Sequence, residues 1–279
     1  MKTKMYSLLV ALIAIGALPM LTSCEENEAN ELSPRQNNCL LVSDEGYTNI
    51  NSSGMQDYFV SDPESLSEEE IEGIKLMREE EKLAGDMYAK LYEAHNLKIF
   101  NNISASEQTH FEAMGTLIDY FGIEDPASSE AGVYNDSNLQ ALYDSLYSAG
   151  GESLVSGLRV GAAVEEIDIL DLEELIGQTD NEDITLVYEN LLRGSRNHLR
   201  AFNRQLERNG VEYSPQYLDM DAFEAIVNSE MEKGGSGNCV GNGTRNANRN
   251  GNGNANVSGN GNQNKNGQGS GRNGNGQGK

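Results

Sequence analysis

Four stretches of this chain repeat apolar side chains every three or four residues, the spacing of one face of an α-helix. The first opens at Leu66-Ser67-Glu68-Glu69-Glu70, where Ser67 and Glu70 make a capping box, and runs to about His95. Its stripe is Ile74, Met77, Glu81, Ala84, Tyr88 and Leu91. The second covers about 99–121, with Ile103, Glu107, His110, Met114, Leu117 and Phe121 in register, and stops at Gly122. The third runs from about Ser153 to Ile176, with Leu158, Gly161, Glu165, Asp168, Leu172 and Leu175 on its stripe. The fourth covers about 181–209, carries Val187, Leu191, Ser195, His198, Phe202 and Leu206, and ends at Gly210. A longer connection, about 122–151, holds a short helix, LQALYDSLYS. Beyond Pro215 a last helix runs from about Asp219 to Glu232. The expected fold is all-α: a four-helix bundle with one long crossover, plus a short crossover helix and a C-terminal helix. A plain helical bundle without the hairpin–crossover–hairpin order is the alternative.

The stripes are not purely apolar. Glu81, Glu107, His110, Glu165, Asp168 and His198 all fall on core-facing positions near the middle of their helices. A buried carboxylate is costly unless something pairs with it. Glu107 and His110 stand three residues apart, so a helix stacks them on one face. That pair alone has two readings: a hydrogen-bonded buried histidine, or half of a metal site. Four helices each sending a ligand inward favour the metal. Facing carboxylates repel in a dry core, and a divalent cation removes the penalty. Mixed oxygen and imidazole ligands suit iron, manganese or zinc. On the third helix, Glu166 is a further candidate. Its own stripe, Ala162, Glu166, Leu170 and Glu173, reads as more amphipathic, so Glu166 and Glu173 are expected in solvent. Arg193, Arg196 and Arg200 are expected to pair with acids of neighbouring helices. His95, at a helix end, is expected at the surface.

The ends have a different character. Lys2 and Lys4 precede an apolar run from Tyr6 to Leu21 that closes on LTSC. The run is short for a membrane span and reads as a signal peptide, residues 1–24. LTSC resembles a bacterial lipobox, which implies lipid on Cys24. The acidic EENEANE behind it resembles the surface-export signal of some bacterial lipoproteins. The expected location is the cell envelope, anchored through that lipid. Residues 25–65 read as a flexible polar tether and 66–232 as the folded domain. The tail 233–279 is low in complexity: from Gly234 onward, 15 of 46 residues are Gly and 14 are Asn, and no core can form from these.

The whole chain carries a formal charge of −24. Residues 25–233 hold 13 basic and 44 acidic side chains, a balance of −31. Such a body disfavours nucleic acid and draws cations toward an open site. Besides Cys24 there are only Cys39 and Cys239, a pair able to form a disulfide outside the cytoplasm.

Several of these stretches resemble known metal helices. EKLAGDMY, from Glu81 to Tyr88, resembles the first metal helix of rubrerythrin-type ferritin-like proteins, and IFNNISASEQTH resembles their second. The region 66–230 as a whole resembles the DUF2202 family of ferritin-like proteins, most visibly in GAAVEEIDILDLEELI and YENLLRGSRNHLRAF. The resemblance implies a ferritin-like bundle of the rubrerythrin and bacterioferritin kind. It also implies a metal site built from Glu81, Glu107, His110, Glu165, Asp168 and His198, with Tyr88 as the catalytic candidate, a hydrogen-bond donor or local redox residue; an ordinary core tyrosine is the alternative. The pattern departs from those relatives at Ser195, where their fourth helix carries a second bridging glutamate. The leading expectation is a di-iron or iron/manganese oxidoreductase acting on Fe(II), O2 or peroxide. It would need an external electron donor, and a homodimer is a further expectation. The alternatives are a non-catalytic scaffold for an envelope partner and a metal-binding protein without turnover.

Overall fold

The computed structural model describes residues 39–43, 47–63 and 66–233. Cys24, Cys239, the signal region and the Gly/Asn-rich tail lie outside them. The elements in order are β1 (Leu40–Val42), β2 (Thr48–Ile50), α1 (Ser52–Gln56), α2 (Glu68–His95), α3 (Lys98–Phe121), α4 (Ser137–Gly150), α5 (Leu154–Gln178), α6 (Glu182–Arg208) and α7 (Met220–Val227). The all-α expectation holds, with one small addition at the front.

The capping box at the start of α2 forms as read. Ser67 accepts from the Glu70 amide, and the Glu70 carboxylate accepts from the Ser67 amide. Three glutamates in the first turn favour the positive end of the helix dipole. Asn96, in the left-handed region at φ 51°, ends the helix and turns the chain straight into α3. Gly122, at φ 66°, ends α3 in the same way. The short links α2–α3 and α5–α6 make two antiparallel hairpins. Within the bundle α2 lies along α3 and α5 along α6, while α2 also faces α5 and α3 faces α6. The crossover helix α4 covers α2 and α5. Among the described residues no helix is long and apolar enough to cross a membrane.

Five readings change. The segment 25–65 is not a tether throughout. Strands β1 and β2 pair antiparallel, with Leu40 opposite Ile50 and Val42 opposite Thr48. Leu40, Thr48, Ile50 and Met55 are buried. The outer edge of β2 is not left bare: the Thr48 amide donates to Ser106 Oγ at 2.9 Å and the Ile50 amide to Thr109 Oγ1 at 3.1 Å. Hydroxyls of α3 thus satisfy edge groups that would otherwise be buried unpaired. Further on, the amides of Val60 and Ser61 donate to Asp183 in the first turn of α6. Cys39 is buried and disulfide-bonded.

Glu166 is the second change. It is fully buried rather than solvated. Its carboxylate accepts from the Tyr213 hydroxyl at 2.6 Å and from the amides of Gln216, Tyr217 and Leu218 at 2.7–2.9 Å. Three successive amides around one carboxylate form an anion nest, which holds the chain after α6 against α5. Glu173 is exposed, as read. Third, α7 stops at Val227, and the residues after it run back along α6. Fourth, Arg196 and Arg200 pair with Glu232 of that segment, Arg200 at 2.8 Å, not with an acid of a neighbouring bundle helix. Arg193, on the same helix, is buried, and its guanidinium donates to Asn190 one turn earlier. Fifth, His95 is half-buried and bonds the Gly150 carbonyl at 2.7 Å.

Candidate metal centre

The middle of the bundle brings one ligand-bearing turn from each long helix to a common point. Glu81 comes from α2, Glu107 and His110 from α3, Glu165 and Asp168 from α5, and His198 from α6. None is more than 3% exposed. Helical periodicity explains the convergence, because each residue occupies the stripe that packs the apolar core around it.

Two triads form. Ligand atoms of Glu81, Glu107 and His110 lie within 4.8 Å of one another, as do those of Glu107, Glu165 and His198. Glu107 belongs to both. Its Oε2 stands 2.8 Å from His110 Nδ1, and its Oε1 stands 2.8 Å from His198 Nδ1. Glu81 Oε2 lies 3.3 Å from His110 Nδ1, and Glu165 Oε2 lies 3.5 Å from His198 Nδ1. The imidazole rings stack, with centroids 5.4 Å apart. These contacts are close, yet they lack hydrogen-bond alignment. Both oxygens of Glu81 and of Glu107, Glu165 Oε2 and both Nδ1 atoms have no hydrogen-bond partner. Buried polar atoms are rarely left so. Buried ligand atoms that converge without hydrogen-bond partners are what a cation site presents, and the donor set fits a metal.

The electrostatics agree. Burial pushes the Glu81 carboxyl up to about 8, partly offset by His110. Burial and the neighbouring Glu107 charge raise Glu165 to about 7. Burial alone would also raise Glu107, but the two histidines outweigh it and hold Glu107 well below the usual carboxylate range. Burial opposes charge on His110 and His198, while Glu107 with Glu81 or Glu165 raises both rings, to about 10 and 9. Protons thus occupy a volume where cations can replace them.

Asp168 lies beside this centre, outside both triads. Its carboxyl is raised by burial, then by Glu81 and Glu165, and its Oδ2 is unpartnered. Tyr88 reaches the site from α2. Its hydroxyl donates to Glu165 Oε1 at 2.5 Å and also approaches the Gly161 carbonyl at 3.2 Å. Ser195 brings no carboxylate, and its hydroxyl bonds back to the Leu191 carbonyl at 3.3 Å.

Two contributors were invisible in the sequence. Thr48 of β2 places its hydroxyl 3.0 Å from Nε2 of both His110 and His198. A three-residue strand 62 and 150 residues from its partners leaves no periodic signal. Gly194 is the other. A Cβ there would stand 2.4 Å from His110 Cε1, so only glycine lets α6 come this close to the ring. A lone glycine four residues before a histidine reads as a propensity defect unless that contact is known.

The histidine side of the centre is closed by β2. The oxygens of Glu81 and Glu107 are buried as well, but a cavity lies next to these two residues. This cavity, of about 650 Å³ between α2 and α3, is also lined by Arg78, Lys82, Gly85 and Ser104.

The geometry can be set against relatives. The uncharacterized protein MJ0754 of Methanocaldococcus jannaschii is 48% identical over 182 residues, covering 64% of this chain and 98% of its own. The crystal structure of that hypothetical protein superposes with a TM-score of 0.59 at 49% identity, over 60% of this chain and 96% of the other. The uncharacterized protein domain DUF2202 matches residues 70–230, which contain α3, α5 and α6 whole, α2 from Glu70 onward, and every residue of both triads. With more than half its length inside that match, the chain belongs to the DUF2202 family.

Proposed function

We propose that this protein is a ferritin-like metal protein of the cell envelope that binds a pair of iron or manganese ions and acts on Fe(II), O2 or peroxide. One observation carries the reading: Glu107 offers a separate unpartnered oxygen to each of two histidine-containing triads. In this reading Glu107 would contribute to holding both ions. Glu81 and His110 hold one position, and Glu165 and His198 hold the other. An iron or manganese pair held by these residues would supply redox chemistry toward O2 or peroxide, with Fe(II) or an external donor as the electron source. The chain does the rest. Tyr88, its hydroxyl kept protonated by burial and by Glu165, holds that carboxylate in place. The cavity between α2 and α3 admits small reactants, and the apolar core excludes bulk water. Asp168 stands ready as an extra oxygen ligand beside Glu81 and Glu165.

Elemental analysis of protein purified without chelators tests this. About two iron or manganese ions per chain are expected, in keeping with a two-metal carboxylate site. No bound metal, and no uptake on anaerobic addition of Fe(II), sinks the reading. Ser195 favours a second one, a metal-binding protein without turnover, because the fourth helix lacks the second bridging acid. Consumption of O2 or peroxide by the loaded protein separates the two.

The envelope location rests on Lys2, Lys4, the apolar run and LTSC. Mass spectrometry of the mature N-terminal peptide is expected to find diacylglycerol on Cys24, and Cys24→Ala to leave the membrane fraction. An unmodified Met1 rejects the anchor.

A further inference from the structure

We infer that Thr48 is a positioning residue for both histidines, and that the β1–β2 hairpin is a clasp whose docking and metal occupancy stabilise each other. The inference rests on the metal reading above and adds a segment that lies outside the four helices.

The chemistry begins with proton counting. Each ring turns Nδ1 toward the carboxylates and Nε2 toward Thr48 Oγ1. An imidazole that ligates through Nδ1 carries its proton on Nε2. Two such rings bring two N–H donors to one place. A hydroxyl oxygen has two lone pairs and one proton, so Thr48 can accept from both at once. The opposite tautomer, with its proton on Nδ1, makes each Nε2 an acceptor. A single hydroxyl proton can then satisfy only one of the two, and the other is left buried and unpaired at a cost of about 1–3 kcal/mol. A mixed pair, with one Nε2–H donating to Thr48 and Thr48 donating to the other Nε2, is also satisfied; Thr48 thus disfavours only the state with both protons on Nδ1, and when both rings ligate it accepts from both. A doubly protonated ring also donates from Nε2. The ring orientation is thus the same whether Nδ1 holds a proton or a metal, and loading needs no side-chain rearrangement.

The hairpin is built onto the metal helix itself. Ser106 and Thr109 of α3 hold the amides of Thr48 and Ile50. Their next neighbours, Glu107 and His110, face the metal. One helical turn therefore carries two interleaved pairs, one for the ligands and one for the clasp. Thr48 is fully buried, so its hydroxyl has no water to fall back on. An ion that fixes both rings fixes the acceptor between them, and a docked hairpin pays part of the ordering cost of the rings. By linkage the two effects are equal.

The chain has only three histidines, which makes the test direct. Full-length protein labelled with 15N-histidine is titrated with Zn(II) and followed by long-range 1H–15N spectra. In the wild type, two imidazoles are expected to bind through Nδ1 and to show slowly exchanging Nε2–H protons. Amide exchange at 39–43 and 47–50 is expected to slow on zinc addition. Thr48→Val keeps the shape and removes the hydroxyl. It is expected to weaken zinc binding about 10–100-fold, as loss of such outer contacts does, and to speed exchange at both Nε2–H groups. Thr48→Ser is expected to restore both. Thr48→Val with wild-type affinity and unchanged imidazole signals overturns the clasp and leaves the metal centre standing. Nε2 ligation, or Nδ1–H on either loaded ring, overturns it on the wild type alone, even if the valine variant fails to fold. A wild type that takes up no zinc overturns the metal centre and the clasp together.

Discussion

Glu107→Ala is expected to empty both metal positions together, from about two ions per chain to none. Glu81→Ala and Glu165→Ala each remove a ligand from one triad only, so each is expected to leave about one ion. The difference follows from the shared carboxylate, which places one oxygen in each triad. Stability should follow occupancy. Metal that binds only the folded chain raises stability by about 2.7 kcal/mol per site at a hundredfold excess over its dissociation constant. Glu107→Ala should lose that metal-dependent rise in Tm while keeping a helical spectrum. Elemental analysis and melts with and without Zn(II) provide the check. A Glu107→Ala protein that retains one ion per chain means that the triads are independent and Glu107 does not hold both ions.

Glu166→Ala is expected to produce the opposite pattern. It should destabilise the fold by about 3 kcal/mol, because amides that now donate to a buried carboxylate lose their acceptor and Leu218 is itself buried. Metal content should not change, since Glu166 faces the 213–218 segment. Urea midpoints report the loss, and Glu166→Gln, which keeps one acceptor oxygen, should recover part of it. Adjacent glutamates on α5 thus separate cleanly: Glu165→Ala costs metal and Glu166→Ala costs stability. Equal midpoints for Glu166→Ala and wild type refute the nest as a fastening.

The contrast between these neighbours also shows what the sequence could reveal. Stripes, caps and terminating residues are local signals, and they placed α2, α3, α5 and α6 close to where they lie. The same periodicity put Glu81, Glu107, His110, Glu165 and His198 on inward faces, because a helix fixes which side chains share a face whatever lies opposite. Glu166 was misread for the same reason. It lies off the main stripe of α5, and its partners are amides about 50 residues away on a segment with no periodicity. Thr48 and Gly194 share that limit: one acts across two long separations, the other through an absent atom. The end of α7 shifted because Arg196 and Arg200 capture Glu232 in extended chain, a competition that helix propensity does not register.

The position of Thr48 in the chain also sets an order of assembly. The strand is made before any of the candidate ligands, and the second of its two imidazoles, His198, comes 150 residues later. The two helical hairpins close on near neighbours, but joining them through Glu107 and His198 closes a longer loop than the 62 residues between Thr48 and His110. The strand can therefore settle on α3 as soon as that helix has formed, and its second imidazole arrives only when the α5–α6 hairpin joins the first.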